Sequence, residues 1–330
     1  MQMKNDMKIF SGSSALNFTR KICDYLNIEI GNSDVITFSE GNTFVRINEP
    51  VRGKDIYLVQ SIGLKPNDEF VELLFWLDAF KRASANSVTA IIPYFSYAKG
   101  DKKDEPRVSI RARVCAESME LAGADRIITM DLHSPQIQGF FKKPTDHLQA
   151  MLLICEYIKS IKLGNYVIAS PDAGFAKHAR AYSKYLGVPT VICDKTRTDH
   201  SENACILEII GDVRDKNVVI VDDFTISGGT LINLSDKLKE NGANRIIACV
   251  SHLLMNEKSI SRLNESNIDI LISTDSVFNP HVKLSGKIKT LSAAPLFAEA
   301  IWRIQNNESI SPLFNKLPEK VLSWSVPYNL

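Results

Sequence analysis

Segment 218–230 holds the residues whose types and spacing best suit a chemical role. An apolar run ends in two neighbouring carboxylates, and a Ser-Gly-Gly-Thr turn follows; the residues concerned are Asp222, Asp223, Ser227, Gly228, Gly229 and Thr230. Glycines let backbone N–H groups approach a phosphate, and a helix that begins after them adds a favourable dipole. Carboxylates at a strand end suit ribose hydroxyls or a magnesium ion. We therefore interpret the segment as a sugar-phosphate site, the alternative being an ordinary turn that caps a helix.

Three other groups of polar residues also follow predicted strands. His133 and Asp172 each come shortly after an apolar run, and Lys195 and Arg197 lie two positions apart after another. If the chain stays extended there, side-chain alternation puts Lys195 and Arg197 on the same side. Each group has an ordinary alternative: a lone histidine on the surface or in the core, an aspartate that caps a turn, and two cations in a solvated loop.

The elements that must position these residues are short apolar strands alternating with amphipathic helices. Strands are predicted at 56–59, 88–92, 126–130, 166–169, 188–193, 218–221 and 246–250. Helices are predicted at 16–26, 71–82 and 231–240, from apolar residues that recur on one face. This alternation predicts an α/β fold with mostly parallel sheets flanked by helices. In such sheets, ligands bind at the carboxyl ends of the strands.

The chain also contains an internal similarity. Residues 54–61 resemble 216–223, and residues 85–92 resemble 243–250, in the same order along the chain. Because all strand-helix-strand units look alike, chance similarity is the alternative interpretation. We predict a duplication, with one domain at 1–150 and a second at 151–330.

Composition limits the classes of partner. Lys plus Arg is 39 and Asp plus Glu is 38, for a formal charge of +1, which argues against a nucleic-acid binder that relies on overall charge. The 6 cysteines form no Cys-x-x-Cys pair, so a reduced, cytoplasmic location is expected. No apolar run approaches the roughly 20 residues that span a bilayer, and no signal peptide is evident. We expect neither nucleic acid nor a membrane as a partner.

Segment 218–230 resembles the phosphoribosyl-diphosphate loop of the type I phosphoribosyltransferase fold. Further segments narrow the resemblance to the ribose-phosphate diphosphokinases (PRPP synthetases); they are 48–55, 90–98, 131–133, 136–141, 170–174, 194–197 and 308–314. The resemblance runs from about Lys8 to Phe314. It implies two duplicated phosphoribosyltransferase-like domains with the active site between them. The first would carry the ATP loops and the second the ribose-phosphate loop.

The implied reaction transfers the β,γ-diphosphate of ATP to the 1-hydroxyl of ribose 5-phosphate, giving 5-phosphoribosyl 1-diphosphate and AMP, with Mg²⁺ as cofactor. The resemblance makes His133 a magnesium ligand or ATP-phosphate contact and Asp172 a ligand of a second magnesium. Lys195 and Arg197 would balance charge on the moving diphosphate. The ribose-phosphate residues would be Asp222, Asp223, Ser227, Gly228, Gly229 and Thr230. The ATP residues would be Phe38, Glu40, Asn42, Lys99, Asp101 and Lys102.

The resemblance also implies a homo-oligomer, a hexamer built from dimers, and an allosteric site for ADP and phosphate. The positions that match this regulatory site are Arg52, Arg82, Gln138, Ser309, Ser311 and Phe314. His147 stands where the family usually has Asn.

Two departures from the family pattern leave alternatives open. Ile226 stands where members usually have Asp, and Lys99-Gly100 stand where they usually have Arg-Gln. One alternative is the same transfer to another acceptor that bears a ribose 5-phosphate, such as ADP-ribose. A second is a catalytically weak regulatory paralogue. A third, a phosphoribosyltransferase that consumes the diphosphate, is disfavoured by the duplication and by the segment 131–133.

Overall fold

The structure is a computed structural model that describes residues 7–196 and 205–326, with the backbone alone at 194–196 and 205–207. Its strands are β1 (Met7–Ser11), β2 (Ser33–Thr37), β3 (Thr43–Ile47), β4 (Asp55–Val59), β5 (Ser87–Ile92), β6 (Arg126–Met130), β7 (Thr145–Leu148), β8 (Tyr166–Ser170), β9 (Thr190–Thr196), β10 (Cys205–Ile210), β11 (Asn217–Thr225), β12 (Ile246–Leu253), β13 (Ile270–Thr274) and β14 (Ile288–Leu291). Its helices are α1 (Leu16–Leu26), α2 (Pro66–Arg82), α3 (Arg111–Ala122), α4 (Met151–Ser160), α5 (Ala176–Leu186), α6 (Gly229–Glu240), α7 (Glu257–Glu265), α8 (Ala294–Gln305) and α9 (Glu319–Ser325).

The chain divides into two compact units, each built on one main sheet. In the first unit, five parallel strands stand in the order β1-β4-β5-β6-β7. Helix α2 packs its apolar side into this unit's core, where the rings of Trp76 and Phe80 stack with centroids 5.6 Å apart. Pro66 suits the start of α2 because the first turn needs no N–H from it, and Lys81 and Arg82 in the last turn suit the negative end of the helix dipole.

The second unit carries seven strands in the order β10-β9-β8-β11-β12-β13-β14. All neighbours are parallel except β10 and β9, which are antiparallel. Every residue of β12 is buried, as expected for a central strand of a sheet covered on both faces. Together the two sheets confirm the predicted α/β fold with mostly parallel strands.

The predicted domains 1–150 and 151–330 stay predictions, and the two compact units are not each one continuous stretch of chain. Asp275–Phe278 and Ser292–Ser325 group with the first unit. The physical reason is the packing of α8 on α1, where the rings of Phe18 and Phe297 lie 5.4 Å apart. The Tyr25 hydroxyl also donates to Glu299 at 3.0 Å.

Helix α9 lies beyond the segment that carries the family resemblance. Lys320 places its ammonium 4.0 Å from the centre of the Tyr25 ring and donates to the Tyr25 carbonyl at 3.0 Å. The Trp324 ring meets Tyr25 edge-on at 5.7 Å, and Val321 is fully buried. These contacts fix α9 against α1, which gives residues without a role in the sequence analysis a structural one.

The internal similarity appears as equivalent strand pairing. β4-α2-β5 and β11-α6-β12 are both parallel strand-helix-strand units. Ile56 pairs with Val88 in the first, and Val218 pairs with Ile246 in the second. These are matched positions of the two repeats, so the repeats agree in register as well as in sequence.

Five cysteines are described as buried and free: Cys23, Cys115, Cys155, Cys193 and Cys249. Burial raises the pKa of Cys23, Cys115 and Cys155 to about 12, so these thiols act as small apolar groups. Among the described residues, no helix is long and apolar enough to cross a membrane.

Candidate functional site

The two vicinal carboxylates lie near the carboxyl end of β11, which is buried from Val218 to Val221. Asp222 and Asp223 are half-buried. The Asp223 N–H donates to the Asp222 carboxylate at 3.0 Å, and the Phe224 N–H donates to the Asp223 carboxylate at 2.9 Å. Each carboxylate is therefore oriented by the backbone of the residue after it.

The turn after β11 leads directly into α6. Gly228 has a φ of +73°, a conformation that suits glycine, and a Cβ atom there would lie 2.7 Å from the Met255 methyl group. Ser227 and Thr230 are exposed. The Ser227 hydroxyl accepts the Gly229 N–H at a long 3.4 Å, and the described residues supply no other side-chain cap at the start of α6. A helix end with open N–H groups is suited to bind a phosphate.

Asp172 lies in the turn that joins β8 to α5. Its carboxylate accepts the Phe175 N–H at 2.9 Å, and the Ser170 hydroxyl donates to its carbonyl at 2.7 Å. The turn-capping role considered from the sequence is thus present. Because β8 runs parallel to β11 as its neighbour, Asp172 also lies at the same sheet edge as Asp222.

Lys195 lies inside β9 rather than after it, which corrects the predicted end of that strand at residue 193. The strand extends because β10 pairs with it antiparallel, with Lys195 opposite Ile206. As β9 is the parallel neighbour of β8, the backbone of Lys195 lies toward the edge that carries Asp172. Arg197 lies outside the described residues.

His133 lies in the loop that follows β6, and its side chain is exposed. Three hydrogen bonds tie this loop to β7 and the residues after it. The Asp131 N–H donates to the Leu148 carbonyl at 3.1 Å, the Leu132 N–H donates to Nε2 of His147 at 2.8 Å, and the Ala150 N–H donates to the Asp131 carboxylate at 2.9 Å. Asp131 adopts a φ of +39°, which these bonds hold in place.

Phe38, Glu40 and Asn42 lie in the turn of the β2–β3 hairpin. The Phe38 N–H donates to the Asn42 carbonyl at 2.8 Å and closes the turn. All three side chains are exposed. Phe38 is 44% exposed, with its ring 6.2 Å from that of Phe44. It is therefore not the core residue that its type alone would suggest.

The candidate ATP-phosphate residues lie in and after the 3-10 turn Ser96–Lys99. Asp101 is half-buried, and Lys102 is exposed with its ammonium 3.9 Å from Asp104. Gly100 is buried, and a Cβ atom there would lie 2.6 Å from Nε of Arg111. The absence of a side chain at position 100 therefore makes room for Arg111.

The candidate regulatory residues all belong to the first unit. Arg52, Ser309 and Ser311 are exposed, and Ser309 and Ser311 line an open groove that continues past Lys316. Arg82 forms an ion pair with Asp78 at 2.7 Å. The two remaining residues are Gln138, whose amide donates to the Pro135 carbonyl at 2.9 Å, and Phe314, which is half-buried.

The turn equivalent to 227–230 in the first repeat follows β4 and holds a carboxylate of the chain itself. Glu69, on the first turn of α2, accepts the Gly63 N–H at 2.6 Å and the Lys65 N–H at 3.1 Å. Glu69 is 9% exposed, and burial raises its pKa although these two bonds oppose the shift. The anion position of the first repeat is therefore filled from within.

His147 and Arg111 adjoin the predicted residues, although no role was predicted for either from the sequence. His147 lies on β7, which pairs with β6, and the loop that holds His133 follows β6. This neighbourhood is the feature that could have pointed to His147. The signal for Arg111 was the loss of a side chain at Gly100, which implies that another group fills the space.

Comparison with known proteins extends these observations to almost the whole chain. Residues 7–123 match the N-terminal domain of ribose phosphate pyrophosphokinase, and residues 172–315 match the phosphoribosyl synthetase-associated domain. The ribose-phosphate pyrophosphokinase of Porphyromonas gingivalis is 45% identical over 95% of this chain and 99% of its own length. That of Campylobacter jejuni is 43% identical over 93% and 98%. The crystal structure of phosphoribosylpyrophosphate synthetase from Mycobacterium smegmatis matches with a TM-score of 0.87 and 33% identity, over 92% of this chain and 100% of that one.

Proposed function

The chain belongs to the ribose-phosphate pyrophosphokinase family, and from that premise we propose that it transfers the β,γ-diphosphate of ATP to the 1-hydroxyl of ribose 5-phosphate. The products are 5-phosphoribosyl 1-diphosphate and AMP. The observation that carries the proposal is the edge of the second sheet, where Lys195, Asp172 and Asp222 lie near the carboxyl ends of the consecutive strands β9, β8 and β11, and where α6 begins after β11.

Ribose 5-phosphate binds at this edge. Its phosphate lies on the turn at 227–230, where the backbone N–H groups of α6 and the hydroxyls of Ser227 and Thr230 donate to it. The carboxylates of Asp222 and Asp223 accept hydrogen bonds from the ribose hydroxyls. The fixed orientation of both carboxylates supports this role because a prearranged acceptor loses little freedom on binding.

ATP binds through the first unit. Phe38 stacks on the adenine ring while Glu40 and Asn42 bind its polar edge, which suits an exposed aromatic residue with polar neighbours in one turn. Lys99, Asp101 and Lys102 bind the polyphosphate and its associated cation. The exposed ammonium of Lys102 supports this assignment.

Magnesium is the proposed cofactor, and the donor chemistry fits it. Among the described residues, no three His, Cys, Asp or Glu side chains form a cluster that could hold a metal ion. Mg²⁺ does not need such a cluster, because it keeps several waters and combines one or two carboxylates with substrate phosphates. Asp172 would supply a carboxylate, and His133 would contact the metal or an ATP phosphate. The ion would supply charge neutralisation on the diphosphate oxygens.

The chain's own contribution to catalysis is positioning and charge. The turn at 227–230 and the acids of β11 hold the ribose so that its 1-hydroxyl attacks the β-phosphorus in line. Lys195 and Arg197 donate to the diphosphate as charge moves onto the departing AMP oxygen. No covalent intermediate with the protein is needed.

We also propose a cytoplasmic homo-oligomer, a hexamer built from dimers, with an allosteric site for ADP and phosphate. Its residues are Arg52, Arg82, Gln138, Ser309, Ser311 and Phe314. The exposure of Arg52, Ser309 and Ser311 supports this use of the surface.

One assay tests the proposed function and its main competitor. Ile226 is 47% exposed beside the ribose-phosphate turn and brings no carboxylate there, which favours a larger acceptor such as ADP-ribose as the second candidate. The protein is incubated with ATP, Mg²⁺ and each acceptor, and AMP is quantified. We expect AMP with ribose 5-phosphate. AMP with ADP-ribose alone would select the second candidate, and no AMP with either would favour a regulatory paralogue.

A further inference from the structure

We propose that Arg111 is an additional ATP-binding residue, whose guanidinium contacts the polyphosphate beside Lys99 and Lys102. The inference rests on the proposed function, because it takes ATP as the nucleotide that this part of the first unit holds. The other proposed polyphosphate residues, Lys99, Asp101 and Lys102, lie before α3, whereas Arg111 lies on α3 itself.

The first support is the fit between Gly100 and Arg111. A Cβ atom at Gly100 would lie 2.6 Å from Nε, 2.9 Å from Cβ and 3.3 Å from Cζ of Arg111. The φ of Gly100 is −100°, so its backbone conformation does not demand glycine. Space is therefore the reason for glycine here, and the two positions act as one unit. The Ala112 N–H also donates to the Gly100 carbonyl at 3.1 Å, which ties the start of α3 to the loop.

The second support is the charge balance around Arg111. Its side chain is exposed, and no carboxylate of the described residues forms an ion pair with it. Burial raises the pKa of Tyr97 and of Cys115, and the positive charge of Arg111 opposes the shift at Cys115 and Tyr97. The guanidinium thus acts on the same turn that carries Lys99. An unpaired guanidinium near lysines is stabilised when a polyphosphate binds between them.

The third support is the hydrogen-bonding capacity of the Arg111 guanidinium. Lys99 offers a single ammonium, whereas the planar guanidinium of Arg111 can donate two parallel hydrogen bonds to phosphate oxygens. Arg111 is the first residue of α3, so the positive end of the helix dipole adds to its field. A guanidinium from the helix therefore compensates for the ammonium that stands at position 99 in place of a guanidinium.

Arg111→Ala tests the proposal through the Michaelis constants. We expect the KM for ATP to rise by about tenfold, in line with the loss of a charge-assisted hydrogen bond, while the KM for ribose 5-phosphate stays unchanged. Arg113→Ala is the matched control, because Arg113 is an exposed residue of the same helix that pairs with Glu117 at 2.9 Å. Its KM for ATP should equal that of the wild type.

Gly100→Gln tests whether the two positions act as one unit. In the wild-type background the new side chain meets Arg111, so the KM for ATP should rise. In the double variant with Arg111→Ala, the glutamine side chain at position 100 has room. The loss of ATP-binding free energy in the double variant should therefore be smaller than the sum of the losses in the two single variants. Additive losses would overturn the linked role of the two positions.

Failure of this inference can be told apart from failure of the proposed function. If the wild type forms AMP and Arg111→Ala keeps the wild-type KM for ATP, the role of Arg111 is refuted and the function stands. If the wild type forms no AMP, calorimetric titration with ATP still decides, since Arg111→Ala must weaken binding. Arg111→Met, which keeps the aliphatic stem, replaces the alanine variant if that variant does not fold.

Discussion

Leu132 donates its backbone N–H to Nε2 of His147 across 2.8 Å. This nitrogen must therefore carry a lone pair, and the other ring nitrogen lies 3.4 Å from the Gln138 amide. The contact joins the end of β6 to β7, one residue before His133. A side chain on one strand thus sets the path of the loop that presents a proposed catalytic residue.

We expect His147→Leu to lower kcat by about tenfold, because the Leu132 N–H loses an acceptor worth roughly 1 kcal/mol and the loop at His133 becomes less ordered. His147→Gln should retain most activity, since its amide oxygen reaches about as far as Nε2. The measurement is AMP formation at saturating substrates, with thermal unfolding recorded in parallel.

Two controls separate positioning from stability. Thr145→Val changes the same strand two residues away, where the hydroxyl donates to the nearby Lys143 carbonyl at 3.2 Å, and kcat should not change. In a His133→Ala background, His147→Leu should add little further loss, because both act through one loop. Equal losses in both backgrounds would contradict the assignment.

Gly228→Ala should raise the KM for ribose 5-phosphate and destabilise the fold by about 1–2 kcal/mol. The reason is its φ of +73° and the Met255 methyl group 2.7 Å from the new Cβ. Gly286→Ala is the control, since nothing lies within 4 Å of a Cβ there. Denaturant unfolding and steady-state kinetics give both quantities, and an unchanged KM for ribose 5-phosphate would refute the phosphate-binding role of this turn.

Lys195→Ala should reduce kcat by about a hundredfold, the usual loss when one donor to developing charge is removed. Its fold should stay intact. Lys289→Ala, on β14 of the same sheet, should behave as the wild type. Rapid-quench measurement of AMP formation isolates the chemical step, and a near wild-type rate would show that Lys195 does not donate to the moving diphosphate.

The folded protein should protect Cys23, Cys115 and Cys155 from iodoacetamide at pH 8. With the pKa of each thiol raised to about 12 by burial, only about one thiol in ten thousand is thiolate at that pH. Peptide mass spectrometry before and after guanidinium unfolding locates the labels. Rapid native labelling at any of the three would show that its surroundings open to solvent.

Much of the fold follows from sequence because its strands are apolar runs covered on both faces. The prediction for β6 matched its observed bounds, and β11 begins one residue before its predicted start and ends four residues after its predicted end. The edge strand β10 was not predicted, because its pairing depends on β9 rather than on its own pattern. The packing of α8 on α1 was also missed, since it joins distant parts of the chain.

Residue type and spacing alone single out the candidate site at positions such as Asp222 and Gly228, whose roles stay predictions. The contributions of His147 and Arg111 could not be derived that way. A histidine that accepts from Leu132 and an arginine that fills the space at Gly100 are results of tertiary packing. Such residues become visible only when neighbouring strands and helices are placed.

The carboxylate of Glu69 has a consequence for binding stoichiometry. It accepts the backbone N–H groups of Gly63 and Lys65, whereas no carboxylate of the described residues occupies the matching turn before α6. The two repeats share a strand register, but the turn of the first repeat is occupied by the carboxylate of Glu69. The proposed function therefore predicts one acceptor site per chain instead of two, and calorimetry should count a single ribose 5-phosphate bound to each subunit at this kind of turn.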